Sequence, residues 1–160
     1  MRGLRKERDR KTLEVSVIGG GYERYRWERA SEWRPGQFLW IKPEGEEREI
    51  LVKVRGVSAK SAPKRLLSVR QAWPGRVKDF MVRYLRRYFR ENELDVEVAL
   101  VSFDHVAGIL RLSYVAEEKL DLRHLGPKLA KLLHVRVELQ QIGARDKARA
   151  VGGVGKCGLE

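Results

Sequence analysis

Between Pro74 and Glu91 the chain carries a pattern that only one local structure satisfies. Val77, Phe80, Met81, Tyr84, Leu85, Tyr88 and Phe89 recur at i, i+3, i+4, i+7, i+8, i+11 and i+12. That spacing gathers them on one side of a helix and would scatter them across both faces of a strand. Pro74-Gly75 opens the segment, where proline is tolerated because the first N–H groups of a helix lack intrahelical partners. An aromatic stripe could stack bases, but at helical spacing it reads first as the core face. Arg83, Arg86, Arg87 and Arg90 take the remaining surface, either as a solvated face or as part of a positive field.

The residues after this helix supply the layer for it to cover. Leu94–Val101 and Gly108–Val115 read as two strands of a hairpin, and His134–Gln140 alternates apolar and polar residues as a third strand. Asp121 is a candidate cap for a second helix with Leu122, Leu125, Leu129, Leu132 and Leu133 on its apolar side. Gly126-Pro127 inside that helix implies a late start or a kink. The order helix, strand, strand, helix, strand predicts an α+β layer with helices on one face of a sheet.

Residues 13 to 55 have a different texture. Leu13–Ile18, Tyr22–Trp27, Gln37–Ile41 and Glu49–Arg55 are short strand-like runs, separated by Gly19-Gly20-Gly21, Pro35-Gly36 and Pro43-Glu44-Gly45. Short strands with Gly/Pro turns predict a small, bent antiparallel sheet or barrel. Ser58–Ala72 reads as a basic loop or crossover anchored at Leu66-Leu67. The expected division is a β-rich part over 12–72 and an α+β part over 73–160 with a glycine-rich tail, together one compact unit.

The charge is as uneven as the pattern. The chain has 160 residues and a net charge of +12, and no acidic residue stands between Glu49 and Asp79. Lys53, Arg55, Lys60, Lys64, Arg65 and Arg70 fall in that stretch. With Arg83, Arg86 and Arg87 of the helix they are the candidate nucleic-acid contacts, since a field of this sign attracts phosphate polyanions or acidic protein surfaces. Charged residues make up 35% of the chain and Asn92 is its only asparagine, a thermophile-like balance. No run approaches the ~20 apolar residues of a membrane span. The N-terminal Met1–Lys11 arm is charged and has no apolar segment behind it, unlike a signal peptide. A cytoplasmic protein without membrane contact is expected.

Catalytic readings fare poorly. Asp104-His105 are neighbours in a turn, whereas histidine activation requires partners arranged in space around a nucleophile. Gly153-Val-Gly-Lys156 looks like part of a phosphate loop, but Ala150 stands where its first glycine belongs and Cys157 replaces the magnesium-binding Ser/Thr. Cys157 is the only cysteine, so neither an internal disulfide nor a paired-cysteine zinc site can form. No enzymatic activity is expected.

The tail Gln141-Ile-Gly-Ala-Arg-Asp-Lys-Ala-Arg-Ala-Val-Gly-Gly-Val-Gly-Lys-Cys-Gly158 resembles the signature segment of the PSP C-terminal-domain family, the RicT/YaaT-like regulators. Asp121–Leu125 and His134–Leu139 resemble the helix and strand that precede it there. The resemblance is strong over about residues 95–158 and weaker over 24–56, where Trp33–Ile41 echoes the family's N-terminal part. It implies a non-enzymatic regulatory adaptor that binds protein partners of an RNA-processing assembly linked to RNase Y. Arg145, Asp146, Lys147, Gly152, Gly153, Gly155 and Cys157 are then the candidate partner contacts, with Arg145 and Asp146 either facing a partner or pairing locally. Family members continue into further cysteines that help bind iron–sulfur clusters. This sequence has Cys157 alone, and one thiolate cannot supply the usual four ligands, so no cofactor is expected. The competing expectation is a sequence-nonselective binder of RNA or single-stranded DNA that uses the basic surface directly.

Overall fold

Alternation in Thr12–Val17 (β1) buries Leu13 and Val15, and the glycines that follow turn the chain back into Tyr22–Arg26 (β2). The two strands pair antiparallel from Thr12↔Arg26 to Ser16↔Tyr22. Phe38–Pro43 (β3), Ile50–Ser58 (β4) and Lys64–Gln71 (β5) complete a closed five-stranded barrel in the order β1-β2-β5-β3-β4. In this computed structural model residues 10–143 are described. Two compact units hold them, one comprising residues up to Val77 with Leu132–His134, the other Lys78–Lys131 and the residues from Val135 onward.

The barrel interior is aliphatic. Leu13, Val15, Leu39, Ile41 and Val52 are wholly buried, joined by Val54 and Leu66. Each such side chain contributes about 1.5–3 kcal/mol relative to exposure. The turns are local chemistry: Arg34-Pro35-Gly36-Gln37 closes with Gln37 N–H donating to the Arg34 carbonyl at 3.2 Å, and Gly36 sits at φ 93°. Proline at the second position and a positive-φ glycine at the third are what a type II turn demands.

Two expectations for this half need correction. Residues 64–71, read as part of a basic loop, form β5, which pairs antiparallel with β3 from Pro43↔Leu66 to Leu39↔Gln71. The sheet is also not wholly antiparallel, because β5 meets β2 in parallel at Tyr25↔Lys64 and Arg26↔Arg65. A register shift between Lys42 and Pro43 accounts for the misleading pattern. The extra residue breaks the period-two alternation, so Leu66 turns inward to near-complete burial while Leu67 stays 50% exposed.

The expected order of helix, strand, strand, helix and strand is present in the rest. The helix Pro74–Glu91 (α1) buries Val77, Met81, Leu85 and Phe89, the core reading of the stripe. It ends with Glu93 at φ 55°, the Leu94 N–H donating to Phe89 O at 2.8 Å and the Glu93 N–H to Arg90 O at 3.1 Å. This is the Schellman arrangement, with glutamate where glycine is usual.

Glu97–Asp104 (β6) and Ile109–Val115 (β7) form the hairpin, and Arg136–Gln141 (β8) lies parallel to β7. The first strand starts three residues later than Leu94 because the helix terminus uses that residue. A parallel neighbour requires a crossover, and it contains Leu125–Leu133 (α2). Asp121 does not cap α2: its carboxylate accepts from the Arg123 N–H at 3.0 Å in the preceding loop. The helix starts late, with Pro127 in its first turn, where a missing N–H costs nothing. Leu110, Leu112 and Tyr114 alternate inward along β7, and Leu122, Leu125, Leu129 and Val137 are buried in the same unit.

Candidate functional site

Cations on a strand share a surface only when the period-two alternation and the register agree. On β2 they do. Tyr22, Arg24 and Arg26 occupy one face of the strand, opposite Ser16, Glu14 and Thr12 of β1. Tyr25 points the other way, into the core. Burial raises its phenol's pKa, with the Glu23 and Glu46 charges adding to the effect.

Aromatic rings sit at both ends of this row. At one end the Arg55 guanidinium lies 3.8 Å from the centroid of the Tyr22 ring, which is 64% exposed. At the other, Arg29 lies 5.9 Å over Trp27. Each end opens into a hollow. One, of about 430 Å³, is lined by Tyr22, Arg24, Arg55 and Lys60 with Glu14 and Glu23. The second, of about 470 Å³, is lined by Lys11, Arg26, Trp27, Arg29 and Arg65, with Glu28. Two of those three carboxylates are engaged: Glu14 accepts from the Ser58 hydroxyl at 2.9 Å, and Glu28 pairs with Lys11 at 3.1 Å. The Thr12 hydroxyl donates to the Lys60 carbonyl, tying the β4–β5 connection to β1.

The nine basic residues singled out from the sequence do not form one surface. Arg55, Lys60 and Arg65 line these hollows, and Lys64 is exposed beside Arg65. Lys53 is half-buried near the Phe38 ring, and desolvation lowers its ammonium pKa. Arg70 forms a bidentate pair with Glu49 at 2.7 and 2.9 Å, an arrangement that holds the Glu49 carboxyl below its ordinary range. Arg83, Arg86 and Arg87 are exposed on α1, in the other unit, with Arg87 4.0 Å from Glu91. The sequence reading missed Lys11, Arg24, Arg26 and Arg29, because Glu23 and Glu28 interrupt them in the chain. The signal was nevertheless there: aromatic, arginine, arginine at alternate positions of a strand, in Tyr22-Glu-Arg-Tyr-Arg26.

The tail contacts Arg145, Asp146, Lys147, Gly152, Gly153, Gly155 and Cys157 lie outside the described residues. The first residue of that signature, Gln141, is described, and its amide bonds in two directions. Its Oε1 accepts from the Leu120 N–H at 2.9 Å and its Nε2 donates to the Glu118 carbonyl at 3.1 Å. The Tyr114 hydroxyl donates to Leu120 O at 2.6 Å. These bonds fasten the connection before α2 to the end of β8. Beside them Arg123 binds Asp121 through its side chain and backbone, holding that carboxyl far below the usual carboxylate range. Among the described residues, no three His, Cys, Asp or Glu side chains group as a metal would require, and no helix is long and apolar enough to cross a membrane.

Comparison with known proteins finds two similarities. Over 123 residues the chain is 28% identical to the Stage 0 sporulation protein YaaT of Bacillus subtilis (strain 168). That stretch is 77% of this chain and 44% of the relative, so the chain spans less than half of the relative's length. The model of the PSP1 C-terminal conserved region matches residues 76–142, from the first turn of α1 to just past β8. Residues 76–142 are thus similar to the PSP1 C-terminal conserved region.

Proposed function

We propose that this protein is a regulator that acts by binding rather than by catalysis, an adaptor for protein partners of an RNA-processing assembly of the RNase Y-linked kind. The observation that carries the reading is the PSP1 region over residues 76–142 together with the similarity to a sporulation protein. The signature glutamine fits it: Gln141 fixes the end of β8, from which the chain runs on to Arg145, Asp146 and Lys147.

The test is affinity capture from nuclease-treated lysate of the source organism, with the full chain as bait and proteins read by mass spectrometry. The adaptor reading expects a discrete set of captured proteins, lost when Arg145, Asp146 and Lys147 are replaced by alanine. Capture that disappears with nuclease, or is indifferent to the triple substitution, overturns it.

A further inference from the structure

We propose that the outer face of β2, between the Tyr22–Arg55 stack and the Trp27–Arg29 stack, is a binding site for single-stranded nucleic acid. It is a site on the barrel, formed by residues outside 76–142. Three observations converge on it. First, the row Tyr22, Arg24, Arg26 presents two guanidinium groups on one face of a strand. Residues two apart on a strand are about 6.6 Å from one another, a spacing that lets each arginine meet a separate phosphate. Second, the row ends in hollows with aromatic walls. Tyr22 is 64% exposed, and one side of its ring is occupied by Arg55 at 3.8 Å. The His134 ring lies 5.7 Å from the Tyr22 ring, tilted by 44°, and the exposed remainder of the Tyr22 ring can take a base, because base–aromatic stacking tolerates any base. Third, the two hollows together carry seven cations against three carboxylates. Lys11, Arg26 and Arg29 stand in exposed pairs with Glu28, Glu44 and Glu32 at 3.1, 4.0 and 3.9 Å, which a phosphate can displace because exposed pairs are weak.

The chemistry favours a single strand over a duplex. Stacking on Tyr22 requires an unpaired base, while a duplex offers its phosphates but keeps its bases in the stack. An acidic peptide would satisfy the arginines but make no use of the exposed part of the Tyr22 ring.

Fluorescence anisotropy of the full chain with labelled oligo(U) and oligo(dT) of about 12 nucleotides, a length within the range one small barrel covers, tests the proposal. Binding of either strand at about 50 mM salt, falling steeply towards about 200 mM, is the expected result. The strand bound more tightly identifies the sugar. Substituting Arg24→Gln and Arg26→Gln together should flatten the slope of log affinity against log salt by roughly 1.4, about 0.7 for each lost phosphate contact. Tyr22→Ala should weaken binding roughly five- to a hundredfold at fixed salt without changing that slope, and Tyr22→Phe should restore it. Arg83→Gln with Arg87→Gln removes the same charge from the other unit and should leave the slope unchanged. All four side chains are exposed and circular dichroism should be unaltered. No binding at about 50 mM salt, equal slopes for the two arginine pairs, or a duplex bound as tightly as the single strand overturns the proposal. Failure here leaves the adaptor reading standing, and failure of nuclease-resistant capture leaves this one.

Discussion

The two units hold their connections in place by different means. In the barrel, turns are closed by backbone conformation: Gly36 and Gly45 adopt φ values of 93° and 85°, which side chains rarely permit. In the second unit, the connection before α2 is held by side chains, Gln141 and Tyr114, bonding to the backbone of residues 118 and 120. Its helix α1 ends on a glutamate in the left-handed region where glycine would be easier. The two barrel turns thus depend on what the backbone can do, with the Thr12 hydroxyl tying the longer β4–β5 connection, and the connection before α2 depends on side chains far apart in sequence. The family match falls on the second kind of region, and the cationic, aromatic surface on the first.

Substitutions can break or sharpen that contrast. The largest effect is expected in the cores. Leu39→Ala in the barrel and Leu129→Ala in α2 each remove a wholly buried side chain and should cost about 2–5 kcal/mol in urea unfolding. Hydrogen exchange should locate each loss mainly in its own unit, and equal acceleration in both would erase the distinction. Next, Gln141→Ala strands the Leu120 N–H and the Glu118 carbonyl, at an expected cost of about 1–3 kcal/mol. Unchanged stability would show that water replaces the amide. Smaller again and opposite in sign, Glu93→Gly relieves a left-handed residue at the end of α1 and should raise stability by about 0.5–1 kcal/mol, read as a higher denaturation midpoint.

The smallest effect is a pH dependence. Arg70 lowers the pKa of Glu49, so the pair's contribution is complete above the unfolded glutamate value of about 4.3 and fades as pH falls through the lower folded value. Glu49→Gln should therefore be slightly less stable than the parent at neutral pH and converge with it in acid. A gap that widens in acid would contradict the assigned pairing.

Legibility in the sequence followed the same division. The seven-residue stripe, the hairpin and the third strand were readable because helical and strand periods persist through them, whereas the third strand's parallel pairing was not. Barrel turns at Pro35-Gly36 and Pro43–Gly45 were readable because their chemistry is contained in two or three residues. Strand β5 was not, since Lys64-Arg-Leu-Leu-Ser-Val-Arg-Gln71 is defined by its pairing with β3, and the register shift at Lys42/Pro43 hides its alternation. The candidate surface failed to show for a related reason. A run without acids along the chain is not a patch in space: Lys53 is half-buried and Arg70 is taken up by Glu49. Arg24 and Arg26, separated in sequence by other residues, stand side by side.

One joint of the barrel bears on how the chain is made. The parallel contact of β2 with β5 has two residue pairs, against five between β1 and β2. Tyr25 must wait for Lys64 to be synthesised before the ring can shut. At about 5–20 residues per second the nascent chain spends seconds as an open sheet, with the β2 edge of this joint unpaired. Contacts so distant in sequence are slow to form, so the ring shuts only after its other strand pairs can have formed.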